Sequence, residues 1–121
     1  VLAALLYSQL EAADDIQARR RAVWDRYADE LAGWAAAAGA RLPVVPPHCD
    51  HPAHLFYLLL PSLDQRQRLI AHLRDRGVSG VFHYLPLHLS DMGRRFGGRP
   101  GDCPVAEAAS DRLIRLPLFA D

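Results

Sequence analysis

Histidine is the residue type with which this sequence could do the most chemistry. Three of its six histidines share one loop with a cysteine, and two others bracket a proline turn. The first group is His48, Cys49, His51 and His54, and the second is His83 and His88. A neutral imidazole binds metal ions and exchanges protons near neutral pH. The two groups therefore suggest a metal site or a ligand pocket.

The loop group has the ligand types of a metal site without a familiar spacing. Its pattern is His-Cys-x-His-x-x-His over residues 48–54. A structural zinc site needs four ligands in tetrahedral geometry, and this pattern matches no strong zinc motif. A metal-binding domain is therefore the weakest hypothesis, and the alternative is a solvated loop whose histidines have separate roles.

The second group lies where a predicted strand runs into a proline turn, in the segment Val81-Phe82-His83-Tyr84-Leu85-Pro86-Leu87-His88. Ligands are often bound at strand ends and in the loops that follow them. The segment therefore suggests a pocket, and the alternative is that its aromatic residues pack across strands. Arg112 and Arg115, predicted near the end of the last helix, could bind an anion. A favourable interaction with a helix dipole is the preferred interpretation of Arg112.

Charge and composition exclude several classes of function. The 14 basic and 14 acidic residues balance, so bulk charge does not favour nucleic acid or an anionic membrane as a partner. Every basic residue is an arginine, and without lysine the chain cannot form a Schiff base with an aldehyde cofactor. No nucleotide-binding glycine motif or hydrolase nucleophile motif is present. The two cysteines show no disulfide framework and Val1–Leu6 lacks a basic leader, so we expect a reduced, cytoplasmic protein.

A few helices and strands must position these residues. Apolar residues at steps of three or four predict one long helix or two abutting helices over residues 2–38, ended by Gly39. The further predictions are strands over 41–45, 55–60 and 78–84, and a helix to about Arg76 that is capped either by Ser62 with Gln65 or by Asp64 alone. A short helix over 89–96, another helix over 104–113 and an extended end over 116–119 complete the predicted elements. The 55–60 strand is apolar on both faces and is predicted to be central. The order predicts an α+β fold, a two-layer α/β sandwich whose sheet of three or four strands is covered by helices on one face.

Three stretches of the sequence together carry a family resemblance. They are Ser8–Asp14 with Arg20, Arg21 and Tyr27; Ala53–Tyr57 followed by Val81–His88; and Cys103–Glu107 with Ser110–Leu113 and Leu116–Phe119. In this order they resemble the DegT/DnrJ/StrS family of sugar aminotransferases over essentially the whole chain. The second and third stretches favour the subgroup of dTDP-4-amino-4,6-dideoxygalactose transaminases.

The resemblance implies a homodimeric enzyme of fold type I that depends on pyridoxal 5'-phosphate (PLP). In that family a large domain carries the Schiff-base lysine, and a C-terminal small domain closes over the substrate. Residues 1–121 resemble the small domain, with 1–39 as the inter-domain helix, so the large domain is expected to lie in a longer protein. The implied reaction moves an amino group from L-glutamate to a dTDP-4-keto-6-deoxyhexose.

The resemblance also assigns roles to residues of this chain. His83, Tyr84 and His88 match the family's motif and are expected to bind substrate. His54 is expected to belong to the same substrate-binding group and to support that loop. No catalytic, cofactor-binding or metal-binding residue is expected here, and the chain alone is not expected to be catalytic. An alternative is a stand-alone regulatory domain that binds a small molecule without catalysis.

A further expectation concerns the first helix. Leu2, Leu5 and Leu6 are predicted to lie on an exposed face that packs on the rest of a longer protein. An uncovered apolar face of this kind favours self-association of the isolated chain.

Overall fold

A computed structural model describes residues 2–119 of the chain, and it shows helices followed by short strands. The helices are α1 (Leu2–Glu11), α2 (Ala13–Ala38), α3 (Leu63–Arg74), α4 (Asp91–Arg95) and α5 (Pro104–Arg112). The strands are β1 (Phe56–Leu59), β2 (Val81–Phe82) and β3 (Leu113–Leu116), and a single 3-10 turn covers Leu87–Leu89. Within this part of the chain no helix is both long enough and apolar enough to cross a membrane.

The sheet has three strands in the order β1-β3-β2, and β3 is antiparallel to both neighbours. Consequently β1 and β2 point in the same direction, and α3 connects them across β3. Ile114 of β3 pairs with Leu58 on one side and with Phe82 on the other. This register places the three side chains on the same face of the sheet.

The core lies between that face and the helices α2 and α3. Phe56 and Ile114 are fully buried there, and Leu58 and Leu60 are nearly so. The helices contribute partly buried side chains to the same cluster: Trp24, Tyr27, Ala28 and Leu31 from α2, and Leu69, Ile70 and Leu73 from α3. This packing confirms an α+β fold with helices over one face of a small sheet.

The ends of the helices follow the chemistry of their capping residues. Ala12 separates α1 from α2, so the second of the two predicted arrangements is the one observed. Gly39 ends α2 with φ of 66°, a left-handed conformation that glycine adopts without steric cost. The Ser62 hydroxyl accepts a hydrogen bond from the Gln65 amide at 3.2 Å and begins α3 as predicted.

The exposure predicted for α1 is confirmed. The exposed fractions of Leu2, Leu5 and Leu6 are 83%, 55% and 57%. None of the residues of α1 is buried.

Three predictions about strands were wrong. The central strand is β3 and not the 55–60 segment, whose outer neighbour is only an isolated bridge between Leu59 and Arg41. The strand predicted over 41–45 is reduced to that bridge, since Pro43 lacks an amide hydrogen to extend the pairing. The strand predicted over 78–84 is only Val81–Phe82. Gly80 approaches Ile114 so closely that a Cβ atom there would lie 2.8 Å from its Cδ1.

Candidate functional site

Arg115 lies on the face of the sheet opposite the core. Side chains alternate along a strand, so the burial of Ile114 beneath the helices directs Arg115 to the other face. In register beside it are Tyr57 of β1 and Val81 of β2. The sheet thereby places one cation at the centre of its open face.

Tyr84 lies beside that cation, just after β2. The guanidinium carbon of Arg115 is 5.6 Å from the centre of the Tyr84 ring, which is within range of a cation–π interaction. The Ser110 hydroxyl donates a hydrogen bond to the Tyr84 carbonyl oxygen at 2.9 Å and ties this segment to α5. The side chain of Tyr84 nevertheless remains 68% exposed, so its ring and phenol are accessible to a ligand.

His83 is adjacent to Tyr84 in space as well as in sequence. Their ring centres are 4.6 Å apart. His83 is partly buried, and its Nδ1 atom is buried without a hydrogen-bond partner among the described residues. A buried nitrogen of this kind can still donate or accept one hydrogen bond, according to its tautomer.

His54 joins the group through a cavity that it shares with Arg115. This open cavity has a volume of about 280 Å³. Its lining consists of His54, Leu55, Ser79, Val81, Arg115, Leu116, Pro117, Leu118 and Phe119. The polar groups of the cavity are thus an imidazole, a hydroxyl and a guanidinium, and its wall is otherwise apolar. No acidic residue is among those lining residues of the described chain.

His88 has a different environment from the other three predicted residues. Its Nε2 atom is 2.8 Å from Oε1 of Glu107, and the two side chains are 15% and 23% exposed. Glu107 also accepts hydrogen bonds from the amides of Gly101 at 2.9 Å and Cys103 at 3.3 Å. His88 therefore links the 3-10 turn to the start of α5. Of the four predicted residues only His54 lines the Arg115 cavity, whereas Tyr84 contacts Arg115 directly and His83 contacts Tyr84.

These contacts favour the ionised form of Glu107. The hydrogen bond with His88, followed by that with the Gly101 amide, lowers the pKa of Glu107 below its ordinary value, because both favour the ionised carboxylate.

The histidine and cysteine loop is fastened to α2. His51 lies against Trp24 with ring centres 4.4 Å apart, and its Nδ1 accepts a hydrogen bond from the Ala53 amide at 3.2 Å. Asp50 pairs with Arg21 at 2.8 Å, and this hydrogen bond lowers the pKa of Asp50. Within residues 2–119 no three histidine, cysteine or acidic side chains are arranged to hold a metal ion.

Arg115 was predicted as a residue that could bind an anion, but its position in this site was not predicted. It was expected near the end of a helix with Arg112, whereas Arg112 ends α5 and Arg115 belongs to β3. The available signal was the apolar run Leu113-Ile114-Arg115-Leu116, which one charge interrupts and Pro117 ends. A short apolar run bounded by a turn residue is consistent with a strand.

Comparison with proteins of known sequence gives several relatives. The erythromycin biosynthesis sensory transduction protein EryC1 of Saccharopolyspora erythraea is 38% identical over 96% of this chain and 30% of its own length. The dTDP-3-amino-3,4,6-trideoxy-alpha-D-glucose transaminase of Streptomyces venezuelae is 33% identical over 96% of this chain and 29% of its own length. The chain thus spans about 30% of these relatives. They do not confirm the aminodideoxygalactose subgroup, since the named sugar differs.

Comparison with solved structures agrees with the fold. S. venezuelae DesV matches 98% of this chain and 30% of its own chain, with a TM-score of 0.84 and 33% identity. The architecture corresponds to the small domain of the fold that PLP-dependent aminotransferases share. A sequence model of the DegT/DnrJ/EryC1/StrS aminotransferase family matches residues 1–121. The chain therefore belongs to the DegT/DnrJ/EryC1/StrS aminotransferase family.

Proposed function

We propose that this chain is the C-terminal small domain of a PLP-dependent sugar-nucleotide aminotransferase and forms the substrate side of its active site. The observation that carries the proposal is a chain of neighbours: His83 lies against Tyr84, Tyr84 lies against Arg115, and Arg115 shares a cavity with His54. In the proposal residues 1–39 form the inter-domain helix, and the whole protein is a cytoplasmic homodimer.

The proposed reaction transfers an amino group from L-glutamate to a dTDP-4-keto-6-deoxyhexose, giving 2-oxoglutarate and the amino sugar nucleotide. The aminodideoxygalactose product expected from the sequence belongs to this class. The S. venezuelae relative is named for a product that carries its amino group at C3. A comparison of 3-keto and 4-keto sugar nucleotides therefore tests the position of transfer.

The residues of this chain do not suffice to hold PLP. Its 14 basic residues are all arginines, so no side chain can carry the cofactor as an imine. Aminotransferases of this family are generally PLP-dependent. When bound, PLP supplies an electron sink for amino transfer. We therefore assign the cofactor site to the part of the protein outside this chain.

The role left to this chain is to bind, orient and shield the sugar. The unpartnered Nδ1 of His83 and the exposed phenol of Tyr84 can form hydrogen bonds with sugar hydroxyls. The apolar residues that line the cavity from Leu116 to Phe119 can exclude water from the carbon atom of the sugar that reacts. His88 is proposed to act through Glu107, which holds the 97–103 loop near the same segment.

The reading frame upstream of Val1 tests this division of labour. The proposal expects an open frame of about 250 residues that encodes a lysine-bearing domain, since the chain spans 30% of EryC1. A product of that frame that binds PLP, together with a 121-residue chain that does not, would support the proposal. A stop codon and a local start just before this chain would overturn it.

A regulatory domain is the second candidate. It is favoured by the name of the 38% identical relative EryC1, which is called a sensory transduction protein. In this alternative the same open face binds a small molecule and no amino transfer occurs. A full-length product that binds sugar nucleotide but releases no 2-oxoglutarate from L-glutamate would favour it.

A further inference from the structure

Arg115 carries a charge that the described part of the chain does not neutralise. Its Nε atom is buried and has no hydrogen-bond partner among the residues that the structure describes. Within residues 2–119 no carboxylate forms an ion pair with it. A partly buried cation without an anionic partner is unfavourable, because the lost hydration is not replaced. An anion bound beside Arg115 would remove that cost.

The surroundings of Arg115 suit an anion. The ring of Tyr84 lies 5.6 Å from the guanidinium carbon and restricts its orientation. His54 and Ser79 add two further polar groups to the cavity, which has no acidic residue among its described lining. A guanidinium presents its N–H groups in a planar fork that matches the oxygens of a carboxylate or phosphate.

We propose that Arg115 binds an oxyanion of a substrate, a phosphate or carboxylate group, in the cavity that it shares with His54 and Ser79. The ring of Tyr84 lies against the guanidinium and restricts its orientation. This inference rests on the proposed function, in which the sugar nucleotide carries a diphosphate and L-glutamate carries carboxylates.

The inference can be tested on the ¹⁵N-labelled 121-residue chain by NMR titration. Inorganic phosphate, acetate and thymidine diphosphate are added separately, and the Arg115 Nε–Hε signal and the His54 ring signals are followed. We expect saturable shifts at both residues. In Arg115→Gln the affinity should fall at least about tenfold, as expected for loss of a charge-assisted hydrogen bond.

Arg112 supplies a matched control. Its Nε atom is also buried without a partner, but Arg112 does not line the cavity. Arg112→Gln should therefore retain the wild-type affinity. Arg115→Lys keeps the cation and loses the fork, so we expect an intermediate affinity, and this variant serves if Arg115→Gln does not fold.

The titration distinguishes the two possible sources of the oxyanion, and it can also overturn the assignment to Arg115. Tighter binding of thymidine diphosphate than of phosphate or acetate supports the nucleotide as the source of the oxyanion, and tighter binding of acetate supports the amino donor. Equal shifts in the wild type and in Arg115→Gln, or an equal loss in Arg112→Gln, would overturn the assignment. The titration needs neither cofactor nor amino transfer. Its failure would therefore leave the proposed reaction standing, whereas an inactive full-length product would overturn the reaction and not the binding.

Discussion

His88 and Glu107 form a hydrogen-bonded pair, with Nε2 and Oε1 2.8 Å apart, that joins the 3-10 turn to α5. Glu107 simultaneously accepts from the amides of Gly101 and Cys103. One carboxylate therefore holds both the turn after the Tyr84 segment and the glycine-rich loop before α5. The pair thereby fixes the backbone on either side of the segment that carries His83 and Tyr84 to α5.

Removal of this carboxylate should loosen the 97–103 loop. In Glu107→Ala the amides of Gly101 and Cys103 lose their acceptor, and we expect their hydrogen exchange to accelerate several-fold and the melting temperature to fall. Hydrogen-exchange mass spectrometry and thermal denaturation measure the two effects. Glu30→Ala is the control, because Glu30 is 63% exposed in an i,i+4 pair on α2, where ion pairs contribute little. Unchanged exchange at Gly101 would show that Glu107 does not organise the loop.

The stabilisation from ionised Glu107 should disappear in acid. Its pKa is lower in the folded chain than its ordinary value of 4.5, because His88 and the Gly101 amide favour the carboxylate. The stabilisation by the ionised carboxylate is therefore complete above the ordinary pKa, and it is lost as the pH falls through the lowered pKa. The difference in melting temperature between wild type and Glu107→Gln should therefore be largest above about pH 5 and shrink on acidification. A difference that stays constant between about pH 6 and pH 3 would contradict this assignment.

Truncation of Ile114 should destabilise the fold strongly. This residue is fully buried on the central strand, between Leu58 and Phe82. Ile114→Ala should reduce the free energy of unfolding by about 2–5 kcal/mol, and Ile114→Val by about 0.5–1.5 kcal/mol. Urea denaturation gives both values. Val44→Ala, at a position that is 85% exposed, should change the free energy by less than about 0.5 kcal/mol. A loss below about 0.5 kcal/mol for Ile114→Ala would argue against the central position of β3.

The apolar face of α1 should cause the isolated chain to self-associate. Leu2, Leu5 and Leu6 are all more than half exposed, and no residue of α1 is buried. Sedimentation velocity should show a mass that rises with concentration. Replacement of the three leucines with glutamine should abolish the rise, whereas Gln9→Glu on the same helix should not. A wild-type chain that stays monomeric at every concentration would contradict this prediction.

Local patterns predicted the helices well. The apolar spacing of α2, the Ser62 cap and the Gly39 stop each depend on residues within a few positions of one another. The close approach of Gly80 to Ile114, just before β2, is instead a contact between residues far apart in sequence. The central position of β3 likewise depends on pairing with two distant strands. Neither contact can be derived from a local pattern.

Local patterns also predicted part of the candidate site. His83 and Tyr84 were found because they lie together in one motif, and their rings do lie together. Arg115 was assigned to a helix end because the chain passes from α5 into β3 without a loop. Its neighbours His54 and Tyr84 come from other segments, so only the folded chain brings each of them beside Arg115.

The most direct test of the account is an amino-transfer assay of the full product of the reading frame that contains this chain. The protein is supplied with PLP, L-glutamate and a dTDP-4-keto-6-deoxyhexose, and the release of 2-oxoglutarate and the amino sugar nucleotide is measured. We expect the wild-type protein to release both products in equal amounts. We expect Tyr84→Leu to raise the KM for the sugar nucleotide. Phe96→Leu, at another exposed aromatic residue, should leave the KM unchanged. A folded, PLP-loaded protein that releases no 2-oxoglutarate with 3-keto or 4-keto sugar nucleotides would contradict the account.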